Sequence, residues 1–266
     1  MLRRITSVRW CDILFEETID DYLPLIGDWQ DTLPDPVIEE HEGIQVVRDD
    51  LLGGGSKMRF ADYLIKSNEE IEEWVYGSSP ATGYAQISLA SLCRRYGKKA
   101  VVFMAERAWD KLHDYQLQAI HEGAIMKWIP NGMLSVTEKR ARDYVAEDRN
   151  RRALLPIGFD HPTVIASIIR VALRCDVRPD EVWTVGSSGT LTRGLQQAWP
   201  DASFHCVAVG HKGDYGRAKV YHCEIPFNKE TKVKPPFPSA PTYDAKAWEF
   251  MKRYASPGAL FWNVGS

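Results

Sequence analysis

Short apolar runs alternate with amphipathic stretches along most of this chain. The run 100–104 (AVVFM) is wholly apolar, which is typical of a strand buried on both faces of a sheet. Between such runs, apolar residues recur at helical spacing, as in 87–96, which ends at Gly97. We predict strands at 74–76, 100–104, 124–129, 153–156, 181–185, 204–209 and 259–262. Helices are predicted after Lys57 and at 87–96, 112–121, 134–148, 161–175, 190–198 and 245–254.

This alternation predicts an α/β fold. Strands joined by helices pair in parallel, and the helices cover both faces of the sheet. Open sheets of this kind bind ligands at the carboxyl ends of their strands. Two segments are predicted to be less regular: 1–50, apart from a short strand at 44–47, and a surface loop rich in proline and lysine at 229–243.

Composition narrows the class of protein. The 266 residues are 44% hydrophobic and 26% charged, enough for one large domain or two lobes that share a core. A net charge of −3 gives no global electrostatic reason to bind nucleic acid. The cysteines are dispersed, which indicates free thiols in a reducing compartment: Cys11, Cys93, Cys175, Cys206 and Cys223. We recognise no signal peptide or membrane span, and therefore expect a cytoplasmic protein without membrane contact.

Two glycine-rich turns carry the candidate chemistry. Lys57 directly follows 53–56 (GGGS) and begins a helical pattern, so the backbone there can approach a flat ligand. A lysine desolvated at this point has a lowered pKa and attacks aldehydes. Far downstream, 186–190 (GSSGT) joins a strand to a helix, whose first N–H groups can bind an anion. Its spacing matches neither a P-loop nor a dinucleotide fingerprint. Taken singly, each feature has a plain alternative: a solvated lysine and a tight turn without ligand.

Two further turns also join a strand to a helix. Residues 77–83 (GSSPATG) offer hydroxyl and N–H groups to a substrate carboxylate, with helix capping as the alternative. Residues 156–162 (PIGFDHP) include His161, an acid–base candidate near neutral pH. The alternative there is that Asp160 or His161 caps the next helix.

Three stretches occur in a fixed order: Arg48-Asp49-Asp50 with 54–64 (GGSKMRFADYL), then 186–190, then 260–266 (LFWNVGS). They are similar to the patterns R-[ED]-D with G-G-N-K-x-R-K-x-E-Y-L, G-[SG]-G-G-T and L-F-x-H-T-G-G. From about residue 44 onward, the chain thereby resembles the fold type II (tryptophan synthase β-like) enzymes that use pyridoxal 5'-phosphate (PLP). It looks most like their D-cysteine desulfhydrase and aminocyclopropane-carboxylate (ACC) deaminase branch.

The resemblance implies two Rossmann-like lobes with parallel sheets and a PLP cleft between them. Residues 1–59 with 150–266 would form the larger, PLP-binding lobe, and 60–149 the smaller, substrate-binding lobe. Lys57 would form the Schiff base, and the enzyme would act at Cα of an amino acid or similar amine. Elimination, replacement, deamination and decarboxylation all stay open, as lyase or transferase chemistry. A homodimer is also implied.

The resemblance also implies a set of site residues. Cofactor contacts fall on Lys57, Tyr84, Gly186, Ser187, Ser188, Gly189, Thr190, Asn263 and Ser266. Substrate contacts fall on Ser78, Ser79, Thr82, Gly83 and Phe159, and no metal is expected. The chain departs from the family at Tyr84, close to where an asparagine normally faces the cofactor's ring oxygen. It departs again at Asn263, so that Asn263 and Ser266 become the candidates for binding the pyridine nitrogen.

Two other functions remain open. In its brevity the chain resembles phage PLP enzymes that act on amino-acid-decorated DNA bases during thymidine hypermodification, which would make nucleic acid a partner. The basic face for this would come from Arg140, Arg142, Arg149, Arg151, Arg152, Lys229, Lys232 and Lys234. Alternatively, the chain is a non-catalytic binding protein that keeps the PLP-enzyme fold. Lys57 argues against this, because a scaffold has no need of that lysine.

Overall fold

The computed structural model describes residues 18–130, 132–210 and 212–266. The strands are β1 (Ile38–His41), β2 (Ile44–Arg48), β3 (Glu73–Tyr76), β4 (Lys99–Ala105), β5 (Ile125–Ile129), β6 (Arg152–Leu155), β7 (Glu181–Gly186), β8 (Ser203–Ala208), β9 (Lys219–His222) and β10 (Leu260–Asn263). The helices are α1 (Ile19–Tyr22), α2 (Lys57–Phe60), α3 (Asp62–Ser67), α4 (Ala85–Arg95), α5 (Asp114–His121), α6 (Leu134–Ala146), α7 (Pro162–Arg174), α8 (Thr190–Ala198) and α9 (Ala247–Tyr254). Short 3-10 turns include Asp49–Leu51, Ile157–Phe159 and Asp244–Lys246.

The described strands form two sheets. The larger has the order β1-β2-β10-β7-β8-β9, and the smaller has the order β5-β4-β3-β6. Pairing is parallel in both sheets except between β1 and β2. The predicted α/β class with two parallel-sheet lobes is therefore confirmed.

Strand β1 corrects the prediction that 1–50 is irregular apart from one strand. Glu42 and Gly43 both have positive φ, 50° and 81°, as a tight two-residue hairpin turn requires. This turn folds β1 back onto β2 in antiparallel register, with His41 opposite Ile44. The polar sequence of β1 (IEEH) hid it from a search for apolar runs. Residues 1–17, for which an irregular segment and a free thiol at Cys11 are predicted, lie outside the described residues.

Strand β6 corrects the predicted lobe boundary. The division at 149/150 assigned this strand to the larger lobe, but it pairs with β3 in the smaller sheet, with Ala153 opposite Trp74. The Arg152 guanidinium also donates to Glu73 on β3, with 3.0 Å between Nε and Oε2. Periodicity identifies a strand without saying which sheet it joins. The chain therefore crosses to the larger lobe after β6.

One core joins the two sheets and a second covers the larger one. The first runs from Trp74 and Tyr76 of the smaller sheet, through the apolar face of α7, to Trp262 in the larger sheet. The second lies under α9 and includes Phe237, which is only 5% exposed. Phe237 belongs to the segment 229–243, so the predicted surface loop in fact covers part of this core. Its proline-rich sequence concealed that packing.

The described cysteines are free thiols: Cys93, Cys175 and Cys206 are buried, and Cys223 is partly exposed. Among the described residues, no helix is long and apolar enough to cross a membrane.

Candidate active site

Three neighbouring strands of the larger sheet deliver the candidate residues to one edge. Strands β2, β10 and β7 lie side by side and run parallel. The Lys57 turn follows β2, residues 264–266 follow β10, and residues 187–190 follow β7. The carboxyl ends of parallel strands meet at the same edge of a sheet. The glycine turns that are far apart in the sequence therefore converge here.

The glycine turn before Lys57 lies directly against the end of β10. Gly55 has φ +66°, and a Cβ atom there would lie 2.5 Å from the Val264 carbonyl oxygen. The Ser56 N–H donates to this same oxygen, with 2.9 Å between N and O. From the other side, the Ser88 hydroxyl of α4 donates to the Gly54 carbonyl at 2.5 Å. Glycine is needed because a side chain would separate the turn from β10.

Lys57 interacts electrostatically with the buried carboxyl group of Asp244, which no sequence pattern indicated. Asp244 is 1% exposed, and its Oδ2 accepts the Gly265 N–H at 3.2 Å. Its Oδ1 is buried and has no hydrogen-bond partner among the described residues. Burial raises the pKa of Asp244 to about 8, while the positive charge of Lys57 opposes the rise. Burial lowers the pKa of Lys57, and the charge of Asp244 opposes this. Burial thus opposes ionisation of both side chains, and the charge of each partly offsets this effect on the other.

Tyr243 fixes the position of Asp244. Its hydroxyl donates to the Val185 carbonyl at the end of β7, at 3.3 Å, while the next residue accepts from Gly265 beyond β10. The turn that begins at Asp244 thus spans the ends of two neighbouring strands. In the sequence, Asp244 directly precedes a predicted helix, where an aspartate is ordinarily an N-cap. No sequence pattern distinguishes it from such a cap.

The second glycine turn, 186–190, leads into α8. Gly189 has φ +90°, and a Cβ there would lie 1.7 Å from the Asp214 carbonyl oxygen. A Cβ on Gly158 would lie 1.9 Å from the Ser188 Oγ, so three loops meet at this turn. In the described part of the chain, the N–H groups of Ser188 and Gly189 have no acceptor. Free N–H groups at the start of a helix are suited to binding an anion.

The third turn, 77–83, belongs to the smaller lobe and follows β3. The Ser78 hydroxyl donates to Glu138 of α6 at 2.7 Å, and the Ser79 hydroxyl contacts the Pro80 carbonyl at 3.4 Å. The Thr82 Oγ1 is buried and has no partner among the described residues. The N-cap of α4 is Tyr84 and makes no side-chain capping bond, so the capping alternative is wrong for this turn. Thr82 therefore supplies the hydroxyl group of this turn that has no hydrogen-bond partner among the described residues.

Tyr84 connects this turn to the Lys57 edge. Its ring lies close to both Gly55 and Gly265, because a Cβ on either would be 3.0–3.2 Å from ring carbons. Its hydroxyl donates to the Ser266 carbonyl at 3.3 Å. The Tyr115 ring stands edge-on to it at 5.1 Å. Burial raises the pKa of Tyr84. The structure therefore brings Tyr84 and Ser266 together beside the lysine turn.

Asn263 and Phe159 are both fully buried, unlike residues that line an open site. Asn263 is fully buried, and its Nδ2 donates to Asp50 at 2.7 Å and to the Pro238 carbonyl at 2.8 Å. Its Oδ1 accepts from the Ser239 hydroxyl at 2.8 Å, so its amide is engaged at both ends. Phe159 is also fully buried, with φ +59°, and stands edge-on to Tyr76 at 5.4 Å. Both residues act in this structure as internal supports.

His161 caps α7, which confirms the alternative interpretation of its turn. Its Nδ1 accepts the Thr163 N–H at 3.2 Å. Burial lowers the pKa of His161, which favours the neutral ring that capping requires.

Three of the eight residues of the predicted basic face pair with carboxylates. Arg142 lies 3.9 Å from Glu138 and Arg151 lies 3.7 Å from Glu72, while Arg152 pairs with Glu73 and Glu147. Paired arginines attract a polyanion weakly. Among the described residues, no group of His, Cys, Asp and Glu side chains is arranged to hold a metal ion.

Solved structures share this architecture. An ACC deaminase homologue superposes with a TM-score of 0.79 at 16% identity, covering 94% of this chain and 95% of that one. The processed form of threonine deaminase isoform 2 from Solanum lycopersicum gives 0.68 at 15% identity, covering 93% and 84%. A pyridoxal 5'-phosphate-dependent aspartate racemase gives 0.63 at 13% identity, covering 96% and 97%. The chain has the two-lobed fold of these enzymes. No protein-family model and no curated protein matches its sequence.

Proposed function

We propose that this protein is a PLP-dependent enzyme that acts on an amino acid or a related amine, with Lys57 as the residue that holds the cofactor. One observation carries the proposal. A lysine with a lowered pKa interacts electrostatically with a buried carboxyl group that has an unpartnered oxygen, at the carboxyl ends of three parallel strands. The shared fold supports it, since one structural neighbour is described as PLP-dependent.

The chain offers a fitting group for each end of PLP. The Lys57 amine suits the cofactor's aldehyde, because a desolvated neutral amine is nucleophilic. The free N–H groups of Ser188 and Gly189, at the start of α8, suit the phosphate. Asp244 Oδ1 is a buried acceptor in need of a donor, which a protonated ring nitrogen is. In this assignment Asp244, rather than Asn263, meets the pyridine nitrogen.

When bound, PLP supplies an electron sink for charge that develops at the substrate carbon bearing the amine. The residues of the chain do the rest. Lys57 Nζ takes up or returns the proton at Cα as general acid–base, since its lowered pKa allows both roles. Asp244 presents a buried carboxyl group whose pKa burial raises, and Tyr84 closes one side against Gly55.

We assign substrate contacts to the 77–83 turn. Thr82 has an unengaged buried hydroxyl, while the Ser78 hydroxyl is oriented by Glu138. Hydroxyl and N–H groups at the start of α4 fit a carboxylate. Removal of the Cα proton would lead to deamination, elimination or replacement, whereas in decarboxylation carbon dioxide would leave Cα first and Lys57 would then deliver a proton there. A panel of amino acids and amines that shift the cofactor's absorption distinguishes these, followed by assay for ammonia, carbon dioxide and keto acid.

Titration of the purified protein with PLP tests the proposal. We expect a visible absorption band distinct from that of free PLP, saturating at one cofactor per chain. Lys57→Ala should lose the band. Lys66→Ala, which removes an exposed lysine of α3, should keep it. Equal bands in all three proteins would contradict the assignment of Lys57, and the binding-protein interpretation would then be favoured.

A further inference from the structure

Two consecutive buried carboxylates join the lysine turn to the last strand. Asp49 and Asp50 follow β2, and each accepts from one arginine and from one side-chain N–H of β10. The Asp50 carboxylate accepts hydrogen bonds from Arg48 Nε at 2.8 Å, from Arg48 Nη2 at 2.9 Å and from Asn263 Nδ2 at 2.7 Å. The Asp49 carboxylate accepts hydrogen bonds from Arg59 Nε and from Trp262 Nε1, both at 2.9 Å. Each carboxylate thus binds a different arginine and a different residue of β10.

Of these two sets of hydrogen bonds, only the one around Asp49 includes Ser56, the residue that precedes Lys57. Trp262 Nε1 donates to Ser56 Oγ as well, at 3.2 Å. The Ser56 hydroxyl in turn hydrogen-bonds to Asp49 and opposes the rise in pKa that burial causes in that carboxyl group. Asp49, Trp262 and Ser56 therefore form a closed three-way junction, and all are nearly or fully buried. The Ser56 N–H is fixed too, by the Val264 carbonyl.

We infer that Asp49 is a positioning residue for Lys57, acting through the Ser56 hydroxyl. The inference rests on the proposed role of Lys57. Ser56 is held in place because both its side chain and its N–H are hydrogen-bonded. The backbone of Lys57, the next residue, is therefore fixed too, and with it the direction in which the Lys57 side chain extends. Precise placement of a reacting group accounts for large factors in rate, and a displacement of about 1 Å can cost about a hundredfold.

The effect is expected to be geometric rather than electrostatic. Asp244 is the carboxylate whose charge acts on the Lys57 amine. The charge of Asp49 is balanced by Arg59, which also pairs with Asp31. An asparagine at position 49 would present its N–H₂ group to Arg59 or to Trp262, so that donor would face donor and the junction would open.

Capture of PLP at Lys57 tests this inference. Each protein is mixed with PLP, reduced with borohydride at timed intervals, and digested, and the labelled Lys57 peptide is measured by mass spectrometry. We expect Asp49→Asn to slow capture by about ten- to a hundredfold. Ser56→Ala, which deletes one hydroxyl and leaves the ion pair intact, should slow it severalfold. It also keeps the test valid if Asp49→Asn fails to fold.

Asp62→Asn is the matched control. Asp62 is equally buried, accepts an indole N–H from Trp29 at 3.2 Å and lies near Arg95, but it contacts neither Ser56 nor Trp262. It should capture PLP at the wild-type rate. Wild-type rates in both Asp49→Asn and Ser56→Ala would overturn the inference. So would equal slowing in Asp62→Asn, because general loss of stability would then explain the effect.

A second readout separates this inference from the proposed function. Trace acetylation with acetic anhydride measures the reactivity of Lys57 relative to exposed Lys66 without any cofactor. If the wild type captures no PLP, the proposed function fails, and acetylation alone decides about Asp49. A severalfold change in relative Lys57 acetylation in Asp49→Asn and Ser56→Ala, absent in Asp62→Asn, supports positioning. Unchanged acetylation overturns it.

Discussion

Replacing Asp244 with asparagine should stabilise the cofactor-free protein by an amount that grows with pH. Burial raises the pKa of Asp244 to about 8, against about 3.9 for aspartate in an unfolded chain. Between these values the folded state keeps a proton that the unfolded state has released. Rising pH therefore favours unfolding of the wild type. Asparagine carries no such proton, and it can still accept the Gly265 N–H.

The magnitude follows from the two pKa values. One pKa unit corresponds to about 1.4 kcal/mol, so a shift of roughly four units destabilises the fold by at most about 6 kcal/mol above pH 8. About 4 kcal/mol of this develops between pH 5 and pH 8. Lys57 limits the loss, because its charge lowers the pKa of Asp244. In Lys57→Met, the loss of stability should continue to higher pH.

Urea unfolding followed by tryptophan fluorescence measures the effect. Wild type and Asp244→Asn are compared at unit steps from pH 5 to pH 8, and wild type and Lys57→Met from pH 5 to pH 10, after removal of any bound cofactor. We expect the difference in unfolding free energy between wild type and Asp244→Asn to widen steadily with pH. A difference that stays constant over this range would refute the argument, because Asp244 would then titrate alike in the folded and unfolded states.

Substitutions at three further positions test the packing of the site. Gly189→Ala places a methyl group 1.7 Å from the Asp214 carbonyl oxygen at φ +90°. We therefore expect the unfolding free energy to fall by at least about 2 kcal/mol and PLP to bind more weakly. Unchanged PLP binding would argue against this turn as the phosphate site. Tyr84→Phe keeps the ring against Gly55 and should cost about 1 kcal/mol or less, whereas Tyr84→Ala should cost about 2–4 kcal/mol; equal losses in urea unfolding would show that the ring contributes nothing. Phe159→Ala removes a fully buried ring and should cost about 3–5 kcal/mol; a loss below about 1 kcal/mol would contradict its structural role.

The alternation of apolar runs and helical stretches was sufficient to predict most of the fold. Helix α8 occupies its predicted residues, and β4 extends its predicted run by one residue at each end. Strands β1 and β9 were missed, because sequences such as KVYH lack the continuous apolar character of a buried strand. Their pairing comes from neighbouring strands rather than from local propensity. The sheet that β6 joins is likewise decided by tertiary contacts.

The site was only partly visible in the sequence. Glycines mark places where backbone must approach backbone, so the Lys57 turn and the 186–190 turn could be found from their spacing. Asp244 could not, because its importance comes from burial against Gly265, which no local pattern encodes. Asn263 was chosen by its place in a motif, whereas the structure engages its amide with Asp50 and Ser239. Distant pairings of this kind lie beyond what residue spacing can predict.

The attachment point of the cofactor is the most direct test of the role proposed for Lys57. The protein is incubated with PLP, reduced with borohydride, and examined by intact and peptide mass spectrometry. We expect one reduced cofactor per chain, on Lys57, and none on the Lys57→Ala variant. A label on another lysine, labels spread over several lysines, or equal labelling of the variant would contradict it.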